Sequence, residues 1–226
     1  MPNDHNLLTI QNDLRPAYYD DFHCLMSDCQ LNCCQNDWQI TFGKKDYLKL
    51  KKQKGSPELN QRLAHCLRRV RGEKANETNN YAKFFIENGQ CPLLSENCLC
   101  RLQQENGEKV LPEVCRIFPR LKTYSATGYL ERSLSPACEG VLALLWDLPQ
   151  GIDFLSDPVS DDEKYLGSYL NDNPLIPFSQ NIRSLCIDIL QNRRFSLPER
   201  ILLLGLALKP LAEGQTDLTA WLKQAQ

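Results

Sequence analysis

Apolar positions recur at helical spacing in several stretches of the chain. Residues 44–54 and 57–71 read as helices, and in the second Leu59, Leu63, Cys66, Leu67 and Val70 fall along one side. Cys66 belongs to that stripe and is expected to pack as a small core hydrophobe. Residues 181–190 form another amphipathic pattern, with Cys186 on its apolar side in the same role. Ser196-Leu-Pro-Glu199 has the form of a capping box and opens a helix through 201–208. Residues 136–146 read as a helix with proline in its first turn, and 111–118 as a short helix that Pro119 stops. Alternation of period two is scarcer. Residues 81–87 suggest a short strand turning at Asn88-Gly89. Residues 121–124 and 129–133, bridged through Gly128, suggest a small hairpin. The pattern predicts an α+β fold, mostly helical, with a small β hairpin. Its longest apolar run, 201–208, is eight residues long. A membrane span needs about 20, so no membrane association is expected.

Cysteine usage divides the chain. Ten of the 11 cysteines lie between Cys24 and Cys138, and only Cys186 lies beyond. Residues 1–148 are expected to form a cysteine-cluster metal-binding domain. Residues 149–177, rich in Pro, Asp, Ser and Asn, are expected to be a connector, and 178–226 a helical tail. Charge is also uneven. The formal net charge is −2, yet residues 44–74 hold 11 Lys/Arg against 3 acids. That basic stretch has few interleaved aromatics, so nucleic-acid binding by base stacking is not expected. A solvated basic face is its commonest fate.

The cysteines carry the candidate chemistry. Four fall within eleven residues, at Cys24, Cys29, Cys33 and Cys34, and Cys91, Cys98, Cys100, Cys115 and Cys138 follow. Thiols so placed bind a soft metal or cluster, or pair as disulfides. The chain opens Met-Pro-Asn-Asp-His-Asn, without a basic start or an apolar run, so a cytoplasmic location is expected. There metal or redox sites outnumber disulfides, and an odd number of cysteines also disfavours full pairing. Thiolate ligation without histidine suits zinc or an iron–sulfur cluster. His23 abuts Cys24, but neighbours on an extended segment point to opposite sides. Cys33 and Cys34 face the same difficulty: both reach one centre only if the backbone turns sharply there. Arg116 and Arg120 can pair on the surface, compensate an anionic cluster or fork a carboxylate. Trp38 is expected in the core.

The spacing Phe22-x-Cys24-x4-Cys29-x3-Cys33-Cys34-x3-Trp38-x-Ile40 resembles the opening of the flagellin lysine-N-methylase family. That family falls within a broader group of cysteine-pair proteins described as zinc- or iron-chelating. Four later blocks resemble it in the same order: Gly89-Gln-Cys91-Pro92-Leu93-Leu94, Leu99-Cys100-Arg101-Leu102, Pro112-Glu113-Val114-Cys115-Arg116-Ile117-Phe118-Pro119-Arg120, and Glu131-Arg-Ser-Leu-Ser-Pro-Ala-Cys138-Glu139. Together they span about residues 14–145. Two departures are visible: Glu139 follows Cys138 directly where the family usually has proline, and Cys98 is an additional thiol.

The resemblance implies transfer of a methyl group from S-adenosylmethionine to lysine side chains of flagellin. It also implies an iron–sulfur cluster, or alternatively zinc, held among Cys24, Cys29, Cys33, Cys34, Cys91, Cys100, Cys115 and Cys138. Eight thiols exceed the four that one zinc or one four-iron cluster takes, so either two sites exist or several thiols are structural. No Gly-x-Gly-x-x-Gly follows a strand, and the Cys-x3-Cys-x2-Cys signature of radical S-adenosylmethionine chemistry is absent. Tyr18, Tyr19, Asp20, Asp21, Tyr124 and Tyr129 are candidates for a proton acceptor or an aromatic wall. The other functional class is a non-catalytic cysteine-cluster module, a scaffold or redox sensor whose basic segment binds an acidic partner.

Overall fold

The computed structural model describes residues 7–10, 12–35, 38–124, 128–149, 151–160, 166–168 and 179–214. In chain order the strands are β1 (Leu7–Thr9), β2 (Asn12–Pro16), β3 (Thr41–Phe42), β4 (Leu67–Arg69), β5 (Ala82–Phe84), β6 (Arg120–Tyr124), β7 (Tyr129–Leu134), β8 (Phe154–Pro158) and β9 (Leu166–Ser168). The α-helices are α1 (Lys44–Lys51), α2 (Pro57–Cys66), α3 (Arg101–Asn106), α4 (Glu113–Ile117), α5 (Glu139–Trp146), α6 (Ser179–Gln191) and α7 (Leu197–Ala212). The fold is α+β as expected, but the β content exceeds one hairpin: the strands form sheets of two, four and three strands.

Two compact units share the chain. One comprises Tyr18–Leu121 with Ser133–Asp147; the other comprises the described parts of Met1–Ala17, Lys122–Arg132 and Leu148–Gln226. The sequence pattern expected units contiguous in sequence, whereas contacts divide the chain into discontinuous ones. They assign the N-terminal strands and the hairpin's turn end to the unit that holds the C-terminal helices.

The first unit carries ten of the cysteines and is built around α1, α2 and the sheet β3-β5-β4. Ser56 caps α2, its Oγ accepting from the Leu59 N–H at 3.1 Å, and Pro57 supplies a preset φ at the first turn. Leu59, Leu63 and Cys66 are the buried side of this helix. The helix was expected to continue to 71. It stops at Cys66 because Leu67–Arg69 pair with β5 in antiparallel register, Leu67 opposite Phe84 and Arg69 opposite Ala82. The Asn88-Gly89 turn forms as expected. Both residues have positive φ, and Glu87 bridges Gln90. The helix expected from 136 begins at Glu139, with Cys138 at its N-cap. The core of the unit gathers Phe42, Leu50, Leu59, Leu63, Phe84, Leu93, Leu102 and Leu111 around Cys66 and Cys91.

The second unit holds most of the sheet β6-β7-β2-β8, in which β2 runs parallel to β7 and antiparallel to β8. Ile10, Leu130 and Val159 form its small core. The hairpin was expected; β2 and β8 were not, and β8 lies inside the stretch expected as a connector. Neither strand alternates apolar with polar residues, β2 reading Asn-Asp-Leu-Arg-Pro and β8 Phe-Leu-Ser-Asp-Pro, and they join through backbone pairing and an Arg15–Asp157 ion pair at 2.8 Å. An ion pair between Asp13 and Arg132 ties β2 to β7, and Arg183 of α6 pairs with Glu131. The capping box before α7 is present, with Glu199 Oε2 accepting from the Ser196 N–H at 2.7 Å. Ile201, Leu202 and Leu206 of α7 remain exposed. Among the described residues no helix is long and apolar enough to cross a membrane.

Candidate metal centre

The segment 32–35 makes the sharp turn that a shared role for Cys33 and Cys34 requires. Asn32 is buried, and its Oδ1 accepts from the Cys34 N–H at 2.9 Å while its Nδ2 donates to the Cys98 carbonyl at 2.8 Å. The Gln35 N–H closes the turn onto the Asn32 carbonyl at 2.8 Å. This is the local turn that asparagine favours. The Cys34 carbonyl then accepts from the Cys91 N–H at 2.8 Å, which stitches the cysteine pair to the Cys91 block. Cys98 holds a positive φ of 58° and aims its carbonyl at Asn32. The thiol that departs from the family pattern thus has a backbone role in the turn.

Five of the expected residues come together around this turn. The Cys34 thiol hydrogen-bonds with both Cys33 and Cys91. This contact, burial and the neighbouring thiolates push the Cys34 thiol far above its ordinary range, so it keeps its proton. Its hydrogen bond to Cys33 lowers that thiol to about 7, and its hydrogen bond to Cys91 lowers Cys91. Cys100, at the N-cap of α3, and Cys115, in α4, lie within electrostatic reach of Cys91 and Cys33; burial pushes both thiols up. α1 positions the Cys115 helix: Lys49 Nζ donates to the Leu111 carbonyl at 2.9 Å, and the Glu113 N–H donates to Asp46 Oδ2 at 3.0 Å.

Cys24, Cys29 and Cys138 form a second, outer group. Cys29 is raised to about 11 by partial burial and by Cys24, Glu139, Cys138 and Cys33 nearby. The Cys24 sulfur accepts from the Met26 N–H at 3.4 Å. Glu139 Oε2 accepts from the Leu31 N–H at 2.8 Å and so ties the loop to the start of α5. Gly140 permits the approach, since a Cβ there would stand 3.2 Å from Leu25 Cγ and 3.3 Å from Phe22 Cε2. Cys33 lies within reach of both groups.

Other candidates fall elsewhere. His23 Nδ1 contacts the Asp21 carbonyl at 2.8 Å and is exposed. Trp38 was expected in the core but is 43% exposed, its ring meeting Phe118 edge-on at 5.1 Å. Arg120 covers the Phe22 ring at 5.1 Å and donates to the Phe22 carbonyl at 3.3 Å. Tyr18 and Tyr19 are buried, and burial raises the Tyr18 hydroxyl. Cys66 packs in the core, as the sequence pattern expected. It also stands within electrostatic reach of Cys91 and Cys100, and burial pushes it to about 12. Asn32 and Glu139 were not anticipated in any positioning role. An asparagine directly before a cysteine pair was the available signal for the turn.

Among the described residues no three His, Cys, Asp or Glu side chains already stand in the geometry of a metal site. The donor chemistry nonetheless fits a soft centre: several thiols converge on one core with no histidine among them.

No protein-family model and no solved structure matches the chain. Curated relatives do. The lysine-N-methylases of Salmonella typhimurium and Salmonella choleraesuis are each 28% identical over 182 residues, which is 80% of this chain and 43% of theirs. The flagellar biosynthetic protein FliU of Salmonella muenchen is 31% identical over 137 residues, covering 61% of this chain and 78% of that protein. The chain thus spans less than half the length of the methylases it matches.

Proposed function

Since this chain belongs to the flagellin lysine-N-methylase family, we propose that it takes part in S-adenosylmethionine-dependent methylation of lysine side chains on flagellin, with a cysteine-ligated iron–sulfur centre. The observation that carries the reading is the convergence of Cys34, Cys91, Cys100 and Cys115 on the core of the first unit, with the exposed Cys33 hydrogen-bonded to Cys34, in a chain related to lysine-N-methylases. Four of these thiols suffice for one cluster. Cys33, Cys91, Cys100 and Cys115 are the proposed set. Cys34 is the thiol whose proton links Cys33 and Cys91, and Cys24, Cys29 and Cys138 are the outer reserve.

S-adenosylmethionine, when bound, supplies an electrophilic methyl group; the cluster, when bound, supplies redox or Lewis-acid chemistry. The chain's own residues have separate tasks. Burial of Cys91 and Cys115 against Leu93 and Leu111 keeps water from the centre. Transfer breaks a sulfonium S–C bond and forms an N–C bond, so the acceptor lysine must present a neutral amine. Tyr18, with its raised hydroxyl, stays protonated at neutral pH and serves as a hydrogen-bond donor. Asp20 and Asp21, in the exposed turn that follows, are proposed alongside Tyr19, Tyr124 and Tyr129 as acceptors of the amine's proton.

Anaerobically purified protein incubated with S-adenosylmethionine and flagellin should place methyl groups on lysine, read by mass spectrometry of the digest. The same preparation should contain iron and acid-labile sulfide. Absence of lysine methylation overturns the activity; stoichiometric zinc without iron or sulfide overturns the cluster.

A further inference from the structure

The basic stretch folds into a surface with a definite centre. Lys44, Tyr47 and Lys51 stand at i, i+3 and i+7 of α1, along one side of the helix. The Tyr47 ring meets Tyr81 edge-on at 5.4 Å. Three cations close on this pair. The Arg69 guanidinium lies 3.7 Å from the Tyr81 centroid and 5.8 Å from Tyr47, Lys44 lies 5.9 Å from Tyr81, and Lys51 lies 5.7 Å from Tyr47.

Acidic groups do not balance the three. Lys44 meets Glu77 at 2.6 Å, while Asp46 of the same helix is taken up by Lys49 at 2.9 Å and by the Glu113 N–H. Among the described residues, Arg69 and Lys51 have no carboxylate at ion-pair distance. Like charges gathered this closely repel, and an incoming anion relieves the repulsion. Arg69 already covers the Tyr81 face, which removes the platform a nucleic-acid base would need. Arg69 also ends β4, an edge strand of the order β3-β5-β4. Edge strands leave backbone donors and acceptors to which an extended segment can add.

We propose that this face, centred on Lys51 and Arg69, docks an extended acidic segment of a partner protein, its carboxylates meeting the two cations and its backbone running along β4. The surface is independent of the methyl-transfer reading and stands or falls separately from it.

The test uses fluorescence anisotropy with the full chain and a labelled peptide of alternating Glu and Thr. Its Gln-for-Glu twin, an oligothymidylate and anionic phosphatidylglycerol vesicles serve as competing probes. The Glu peptide should bind in a salt-sensitive manner and the twin should not. Lys51→Glu with Arg69→Glu should weaken binding by about tenfold or more, because contacts are reversed rather than screened. Arg193→Glu with Arg194→Glu makes the same net-charge change on the other unit and should weaken it by less than about twofold. Should Arg69→Glu loosen the stack on Tyr81, Lys51→Glu alone, at the exposed end of α1, carries the same expectation. Equal weakening by the two double variants, tighter binding of the oligothymidylate, binding of vesicles alone, or no binding of the Glu peptide would each overturn the proposal.

Discussion

The inner and outer thiol groups occupy one compact unit and differ in what holds them. Cys34, Cys91, Cys100 and Cys115 pack against the main core, beside Leu93, Leu102 and Leu111. Cys24 and Cys29 sit on a loop with a single 3-10 turn at Met26–Asp28, tied down by the Leu31–Glu139 hydrogen bond, by Arg120 at the Phe22 carbonyl and by the close approach at Gly140. The inner group has its geometry set by the same packing that stabilises the fold. The outer group can shift without disturbing that packing. Preorganisation is therefore a property of the inner thiols, whereas adaptability belongs to the outer ones.

The largest expected effect breaks the comparison directly. Cys91→Ser buries a hydroxyl in an apolar core, should cost about 1–3 kcal/mol, and should empty the centre. Cys24→Ser changes an exposed side chain, should move stability by no more than about 0.5 kcal/mol, and should keep most of the iron. Urea denaturation together with iron and sulfide analysis reads both. If Cys24→Ser loses the metal and Cys91→Ser retains it, the roles assigned to the two groups are reversed.

A pH series on metal-free, reduced protein sharpens the contrast among the thiols. Cys66, Cys100 and Cys115 are raised by burial, Cys66 to about 12 from the ordinary 9.0. Above pH 9 the unfolded chain releases these protons while the folded chain keeps them, so stability falls as pH rises. Cys33 is lowered to about 7. Its contribution is present above the ordinary thiol value and is lost as pH falls through about 7. The thiol contribution to the thermal midpoint should thus peak near pH 9. Cys66→Ala should flatten the alkaline limb, and Cys33→Ala the limb between pH 7 and 9. A pair of difference curves without these separate effects would show that the two thiols do not differ in environment.

Gly140→Ala probes the loop's tether and should be the smallest change. The added methyl must displace Leu25 or Phe22 by a few tenths of an ångström, and the gain of about 1 kcal/mol in helix propensity over glycine offsets that cost. Stability should stay within about 1 kcal/mol of the parent, while iodoacetamide should modify Cys24 faster as the segment 22–25 lifts from α5. An unchanged rate would mean that the close approach does not restrain the outer group.

Much of the first unit was legible in the sequence. The stripe Leu59, Leu63, Cys66 identified the buried side of α2, Asn88-Gly89 identified a turn, and the ordered cysteine blocks identified the family. The second unit was largely illegible. β2 and β8 lack an alternating pattern and exist because they pair with each other, and a sequence pattern cannot show pairing between segments some 140 residues apart. α2 was read too long for the same reason: Leu67–Arg69 continue the helical pattern but are claimed by β5.

The sequence by itself determined the donor chemistry: many soft thiols, hardly any histidine, in an order shared with lysine-N-methylases. It also determined the local devices, the Ser56 cap, the Ser196 capping box and the asparagine before the cysteine pair, because each depends on neighbours within a few residues. Only the tertiary structure decided which thiols meet. Cys34 joins Cys91 through a backbone hydrogen bond across 57 positions, and Cys66, outside every matched block, stands beside them. Proximity of that kind is set by how the core closes, and core packing depends on all the elements at once rather than on any one stretch of chain.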